Sequence, residues 1–457
     1  MNTVIKYIQD NGLSTVNEEI YSYIEDWQDW YCSTDQDFHK RDFYNGLSVI
    51  KREIYQLGMA KTVCQDWASV LMNEKVDISL NNDEQQPILD EVLRLNRFQV
   101  NANRLIEIAF ALGTGAFVEY LNDGQVWIDY VRANNIYPLS WNSKGIYECA
   151  FASNIHQGGK DYINLQIHVK DENGNYQIMN KMLEVTDNAE AYKEVELPPD
   201  VEEVFKTNSD TPLFQIVMPN VINTVDLDSP MGASIFSGAM DVLKEIDNIF
   251  DAFNVEIETG RRMVFLSAEM FSVDKDGNLK NVIGEKETIL RWIGSLEQGQ
   301  AVSDYTPDLR FAQIKEALQF QLNLLSEKAG MGTNHFEFST SGVKTATEVI
   351  SEDSDMYQAM RKHEILLKDA LTGLIEAIKV LLEMTGVYIS TEKLSIDFDD
   401  SIITDKNADR QQYQLEVAAG LMRPEMYRML IYGEDEATAK KNLGDAFAES
   451  KTEEVIY

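Results

Sequence analysis

The chain has 457 residues, 44% of them hydrophobic and 25% charged. That usage fits globular folding and excludes disorder for most of the length, and a chain of this size is expected to form about two to four domains or layers. Its 40 basic and 76 acidic residues leave a net charge of -36, which argues against general adhesion to nucleic acid, because duplex binding is driven by cations that neutralise phosphates.

Residues 1 to about 75 read as helical, rich in acidic and aromatic positions such as Trp27, Trp30, Tyr31, Phe38, Phe43 and Tyr44. Their apolar spacing points to packing and not to chemistry. A short β-like run, Val76 to Leu80, precedes a second helix from Pro87 to Leu112 with a break near Asn96. From Gly113 the period changes toward two. Ala116 to Leu121, the turn Asn122-Asp123-Gly124 and Gln125 to Val131 form a β-hairpin signal, since Asp-Gly supplies the positive φ values of tight hairpin turns. Residues 113–217 therefore read as a mostly antiparallel β domain, with further turns at Gly158-Gly159 and Asn173-Gly174.

The segment Asp226 to Ser234 carries Ser229 in an N-cap position and Pro230 in the first turn, so a long helix is expected over 229–262. Within it, Leu243, Ile246, Phe250, Phe253 and Ile257 form one apolar stripe. At about 100° per residue, Asp241, Glu245 and Glu256 fall on one flank of that stripe and Asp247, Asp251 and Glu258 on the other, with Arg261 and Arg262 at the helix end. Residues 263–305 read as strands and turns. A second amphipathic helix follows Thr306-Pro307-Asp308, with Phe311, Ile314, Leu318, Leu322 and Leu325 at helical spacing up to Gly330. Two helices thus bracket a short β insertion. Met331 to Gly342 is a loop, and Thr345-Ala-Thr-Glu348 matches a capping box that opens a helix of about 40 residues, roughly 60 Å, to Thr385 with Gly386 as its stop. Its stripe includes Ile365, Leu366, Leu374, Ile378 and Leu381. Residues 387–457 form an acidic tail region with short helices.

Chemical signatures are weak. Asp274, Asp276, Asn278 and Glu285 occupy positions 1, 3, 5 and 12 of a calcium-loop template, but Leu279 stands where the sharp turn requires Gly, and a plain hairpin turn is the better reading. The five histidines form neither HExxH nor a close pair, and Gly113-Thr-Gly115 follows a helix without completing a nucleotide fingerprint. Three widely spaced cysteines, Cys32, Cys64 and Cys149, suggest neither a disulfide framework nor a zinc site and fit a reducing cytoplasm. Met1 to Asp10 lacks the pattern of a signal peptide, and the most apolar run, Leu105 to Val118, contains Glu107 and is too short to span a bilayer. No membrane contact, metal, cofactor or catalytic residue is expected.

The order β domain, helix, β insertion, helix, loop, very long helix and acidic tail resembles the portal proteins of tailed bacteriophages, most closely those of long-tailed phages of Gram-positive hosts. Particular stretches resemble that family too: Pro219-Asn220 before Asp228-Ser-Pro-Met-Gly232, a helix containing Ile246-Asp247, the Gly330 to Gly342 loop leading into Thr345-Ala-Thr-Glu348, and Ala419-Gly420-Leu421. The resemblance implies an α+β portal fold with wing (residues 1–228 and the long helix 344–386), stem (229–262 and 306–329), clip (263–305), tunnel loop (330–343) and crown (387–457). It implies a homo-oligomeric ring of twelve, assembled in the host cytoplasm and set at one capsid vertex of the virion. Double-stranded DNA would pass through without sequence specificity during packaging and ejection. The implied partners are the terminase large subunit, the head-tail connector or adaptor, and the major capsid and scaffolding proteins.

An acidic channel wall suits DNA that must slide without sticking. The stem acids Asp241, Glu245, Asp247, Asp251, Glu256 and Glu258 are therefore candidate tunnel-lining residues on one flank or the other, and Thr333, Asn334, His335, Phe336, Glu337, Phe338 and Ser339 a candidate loop against DNA. The alternative is an acidic oligomeric virion scaffold or adaptor that does not contact DNA, and a metal-dependent nuclease stands third.

Overall fold

Two helices, α1 (Thr3–Asp10) and α2 (Glu19–Cys32), open the chain and bury Ile5, Ile8, Ile20, Ile24 and Trp27. The computed structural model describes residues 3–34, 37–44, 48–73, 76–185, 192–199, 201–260, 263–267, 271–273, 279–281, 289–292, 302–305, 308–337, 346–398, 406–433 and 436–443. It forms two compact units, Met1–Ile396 and Asp397–Tyr457. Among the described residues no helix is long and apolar enough to cross a membrane.

The N-terminal region is not helical throughout, as its composition suggested. An antiparallel hairpin, β1 (Lys40–Tyr44) and β2 (Val49–Glu53), interrupts it. Phe43, Tyr44, Val49 and Ile50 are aromatic or β-branched and favour strands, and Asn45-Gly46 between them is a hairpin turn pair in the sequence. Next come α3 (Met59–Leu71), β3 (Asp77–Ser79), α4 (Gln86–Leu95) and α5 (Phe98–Leu112). The expected break lies between α4 and α5, where Arg97 adopts φ 48°. Asn96 fills it: its amide donates to the carbonyls of Val92 and Val126, both at 2.9 Å, and its oxygen accepts the Ile128 N–H at 2.9 Å. These bonds satisfy backbone groups that a helix break would otherwise orphan.

The β domain comprises β4 (Gly115–Asn122), β5 (Gln125–Arg132), β6 (Ile136–Asn142), β7 (Gly145–Gln157), β8 (Lys160–Lys170), β9 (Tyr176–Val185), β10 (Tyr192–Val195), β11 (Val204–Lys206) and β12 (Phe214–Val217). Asp123 and Gly124, at φ 50° and 73°, make the expected turn between β4 and β5. One sheet runs β12-β4-β5, and the other β10-β9-β8-β7-β6 with β11 also on β9. Their shared core joins Ala116, Val118, Ile136, Cys149, Phe151 and Phe214.

His168 is fully buried beside Phe151 and Phe214, and neither ring nitrogen has a partner among the described residues. Burial lowers its pKa from 6.5 to about 3. The unfolded chain therefore binds a proton that the folded chain refuses, so this residue costs stability as pH falls from about 6.5 toward 3. His168→Phe is expected to flatten that acid limb by several degrees of melting temperature, read from thermal melts between pH 7 and pH 4. An unchanged slope would show that the ring is not held neutral.

After the β domain, helix α6 (Met240–Thr259) leads into strands β13 (Met263–Ser267), β14 (Phe271–Val273), β15 (Leu279–Asn281), β16 (Ile289–Trp292) and β17 (Val302–Tyr305), and α7 (Phe311–Lys328) returns. The insertion holds a sheet ordered β16-β13-β17, with β13 parallel to β16 and antiparallel to β17, and a β14-β15 ladder. Asp274, Asp276, Asn278 and Glu285, like Arg261, Arg262, Thr306 and Pro307, lie outside the described residues.

The long helix α8 (Ala346–Met384) has 39 residues, and Gly386 at φ 83° follows it. It buries Leu371, Leu374, Ile375, Ile378 and Leu381, while Ile365, expected in its stripe, is exposed and Leu367 is buried instead. Thr345 of the expected capping box lies outside the described residues. After β18 (Ser395–Asp397), the second unit holds α9 (Lys406–Ala418), α10 (Pro424–Tyr432) and α11 (Glu436–Asn442), with Arg410 bonded to the Tyr432 hydroxyl at 2.9 Å.

Candidate functional site

Helix α6 starts at Met240 and not at Ser229. The local signals at Ser229 and Pro230 lose to tertiary pairing, which claims the backbone groups a helix would need. Gly232 N–H donates to Thr114 Oγ1 at 3.0 Å, Ile235 N–H to the Phe110 carbonyl at 2.9 Å, and Asn223 holds the Met231 carbonyl at 2.9 Å. The Phe110 carbonyl belongs to the last turn of α5, so the strap also closes that helix end.

Gly113 and Gly232 meet backbone to backbone here. A Cβ on either would collide with the other's carbonyl oxygen, and Gly113 has φ 83°. Gly113→Ala is expected to lower stability by about 2–3 kcal/mol in chemical unfolding, from overpacking plus an unfavourable φ. A cost below about 0.5 kcal/mol would show that the contact relaxes freely. Farther back on the strap, the Asn220 N–H donates to His363 Nδ1 at 2.9 Å and its amide to the Lys362 carbonyl at 2.7 Å, pinning the chain to α8.

The two acidic flanks of α6 have different surroundings. Asp247 and Asp251 are buried against the β1–β2 hairpin and the segment after it. Asp247 lies 2.9 Å from His39 Nε2 and accepts the Leu57 N–H at 2.8 Å. Asp251 pairs with Arg52 and accepts the Tyr55 N–H at 3.1 Å, and Arg41 donates to Asn248 at 2.7 Å. Farther along this flank, Glu258 accepts from the Tyr55 hydroxyl at 3.4 Å. Burial pushes the Asp247 carboxyl above the usual range, opposed by the Leu57 N–H and the His39 ring.

The other flank is more open. Asp241 and Glu245 are exposed, and their bonds run to their own helix, to Lys244 and Asn248. Glu256 is drawn to α7: Arg310 donates to it from Nη2 at 2.6 Å, from Nε at 3.1 Å and from its backbone N–H at 3.2 Å. The Arg310 side chain, and then its N–H, hold Glu256 down to about 2.

The apolar seam between α6 and α7 is only partly covered. Leu243, Ile246, Leu322 and Leu325 are buried, and Phe253 meets Phe311 at 5.7 Å between ring centres. Yet Ile257 and Phe311 are 46% and 55% exposed, and Phe320, on the opposite face of α7 from Leu322, is 62% exposed.

The loop after α7 begins folded back on its neighbours. Trp67 donates to the Ala329 carbonyl at 3.0 Å, Gly330 and Gly332 take φ 76° and 77°, and Met331 is buried. Asn334 Oδ1 accepts from Asn323 at 3.2 Å, the Phe336 carbonyl from Gln319 at 3.3 Å, and His335 Nε2 lies 2.9 Å from Asp66 of α3. Thr333 and Glu337 are exposed, whereas Phe338 and Ser339 lie outside the described residues.

Among the described residues no group of three His, Cys, Asp or Glu side chains is placed to hold a metal ion. The arrangement offers an open acidic helix flank, a partly covered apolar seam and an anchored loop. A family model described as phage portal protein, SPP1 Gp6-like, matches residues 11–453. Comparison with curated proteins gives no match.

Proposed function

Because the chain belongs to the phage portal protein family, SPP1 Gp6-like, matching it over residues 11–453, we propose that its copies close into a twelve-membered ring at one capsid vertex. DNA enters and leaves through that ring. Members of this family are structural components of the tailed-phage virion, and portals as a class form rings that associate with capsid and terminase.

The observation that carries the reading is the α6–α7 pair, whose exposed Ile257, Phe311 and Phe320 leave apolar surface that one chain does not bury. A heterologous contact repeated around a closed ring would cover it. In this reading residues 1–228 and the long helix form the wing, α6 and α7 the stem, 263–305 the clip that docks terminase and then the head-tail connector, and 387–457 the crown. Asp241 and Glu245 face the channel. Asp247 and Asp251 serve the wing-to-stem joint, because their carboxylates are already engaged within the chain.

The loop 333–339 reaches toward DNA from a base fixed by Asp66, Gln319 and Asn323. Phage with an early stop in this gene are expected to build capsids that contain no DNA, and DNA-filled heads would refute the reading. Deleting Thr333 to Ser339 is expected to shorten the packaged genome or release it early. Normal genome length and retention would remove the loop from the DNA path.

A further inference from the structure

The β1–β2 hairpin holds α6 with only half of its inner face. Arg41 stands opposite Arg52 and Phe43 opposite Ile50, and the pleat puts all four side chains on one face. Arg41 and Arg52, nearer the base, reach α6 at Asn248 and Asp251. The Arg52 guanidinium also lies over the Phe43 ring, 4.9 Å from its centre. Yet Phe43 and Ile50, nearer the tip, are 41% and 47% exposed. Neither strand pairs with a third among the described residues, and a lone two-stranded ribbon is marginal in water unless its apolar face lies on another surface. Its own chain supplies that surface at the base and leaves the tip uncovered.

A surface of the matching kind lies on α7. Phe320 is exposed and turned away from the face on which Leu322 is buried. Ala317 and Leu324, three residues before and four after, stand beside it, and the exposed Glu316 and Glu327 flank them. The hairpin carries Lys40, Arg41, Lys51 and Arg52 against Asp42 and Glu53, a local excess of cations in a chain of net charge -36. Its approach to an acid-rimmed face is therefore electrostatically favoured. The hairpin covers the α6 flank that bears Asp247 and Asp251, whereas Phe320 lies on the far face of α7, so the two patches sit on different sides of the α6–α7 pair. An isologous dimer needs one self-complementary patch. Two unlike patches on different sides of one chain are what a repeating head-to-tail contact uses.

Resting on the ring reading above, we propose that the tip of the hairpin lays Phe43 and Ile50 across Phe320 and Leu324 of the next copy of the chain, with Glu316 and Glu327 of that copy facing the hairpin's cations. Each copy then offers its arm to one neighbour and its α7 face to the other.

The test uses the full chain carrying Cys32→Ser, which removes the exposed thiol and leaves Cys64 and Cys149 buried. Ile50→Cys and Phe320→Cys are added singly and together, and the mass of the particles is measured by light scattering before oxidation. The double variant is expected to give a reducible ladder of covalent oligomers and each single variant none. The two single variants, co-expressed, should give covalent dimers and nothing longer. Phe320→Asp should lower the assembled fraction at least about tenfold with an unchanged melting temperature, because it removes an apolar anchor of the contact and touches no core. Rings whose double variant yields no ladder, single variants that dimerise by themselves, or an unchanged assembled fraction in Phe320→Asp would overturn this pairing and leave the ring reading standing. Monomers alone, before any oxidation, would overturn the ring reading and the pairing with it.

Discussion

Asp247→Ala is expected to lower the stability of the chain by about 3–5 kcal/mol, whereas Glu245→Ala, two residues away on the same helix, changes it by less than about 0.5 kcal/mol. On a helical wheel both acids simply flank the apolar stripe, on opposite sides. Asp247, however, is 4% exposed and holds both the His39 ring and the Leu57 N–H. Removing it strands both where α6 meets the segment around the β1–β2 hairpin, beside Trp30 and Phe38, which pack on His39. Breaking a buried pair by deleting one member costs more than the pair's net worth, because the remaining polar groups stay desolvated. Asp247→Asn, which keeps an acceptor for the Leu57 N–H, should cost distinctly less than Asp247→Ala. Urea unfolding with matched slopes measures all three, and equal midpoints for Asp247→Ala and Glu245→Ala would show that the buried contacts of Asp247 do not hold α6 to the hairpin.

The paired reversal Asp241→Lys with Glu245→Lys is expected to leave unfolding nearly unchanged, yet to cut the yield of DNA-filled capsids by at least about tenfold. Both side chains are exposed, and their bonds stay within α6, so the fold loses little. In a ring the new charges repeat with every subunit. Cations lining a channel bind phosphates with an affinity that falls steeply with salt. The variant rings should therefore retain duplex DNA at low salt and release it at high salt, while wild-type rings retain it at neither. If lysines on this flank, and separately at Glu256 and Glu258, left packaging and ejection unaltered, no face of α6 would line the DNA path.

The sequence made much of the β domain and the long helices legible, because local chemistry decides them. The Asp123-Gly124 turn, the break at Asn96 and Gly386 after α8 all lie where the residue types demand them. Element order was informative enough to carry the family resemblance, which the match over residues 11–453 bears out. Other features depended on distant partners. Ser229 and Pro230 signal a helix start, but Thr114 and Phe110, more than a hundred positions earlier, take the N–H groups of Gly232 and Ile235.

The same holds for the acids. A helical wheel places Asp247 and Asp251 on a flank, but cannot know that a hairpin about 200 residues upstream covers it. The signal for that hairpin was available in Asn45-Gly46 between β-prone residues, and was masked by the acidic, aromatic composition around it. Glu119 carried no signal at all: within β4 it reads as one polar residue in an apolar run, and only folding leaves its carboxylate fully buried with no hydrogen-bond partner among the described residues.

Whether copies of this chain close into a DNA-conducting ring can be seen by imaging the purified protein in the electron microscope. Rings with a central hole wide enough for duplex DNA and with rotational symmetry, twelvefold in the assembled virion, are expected. Monomers at every concentration, or closed particles without a hole, would contradict the ring reading.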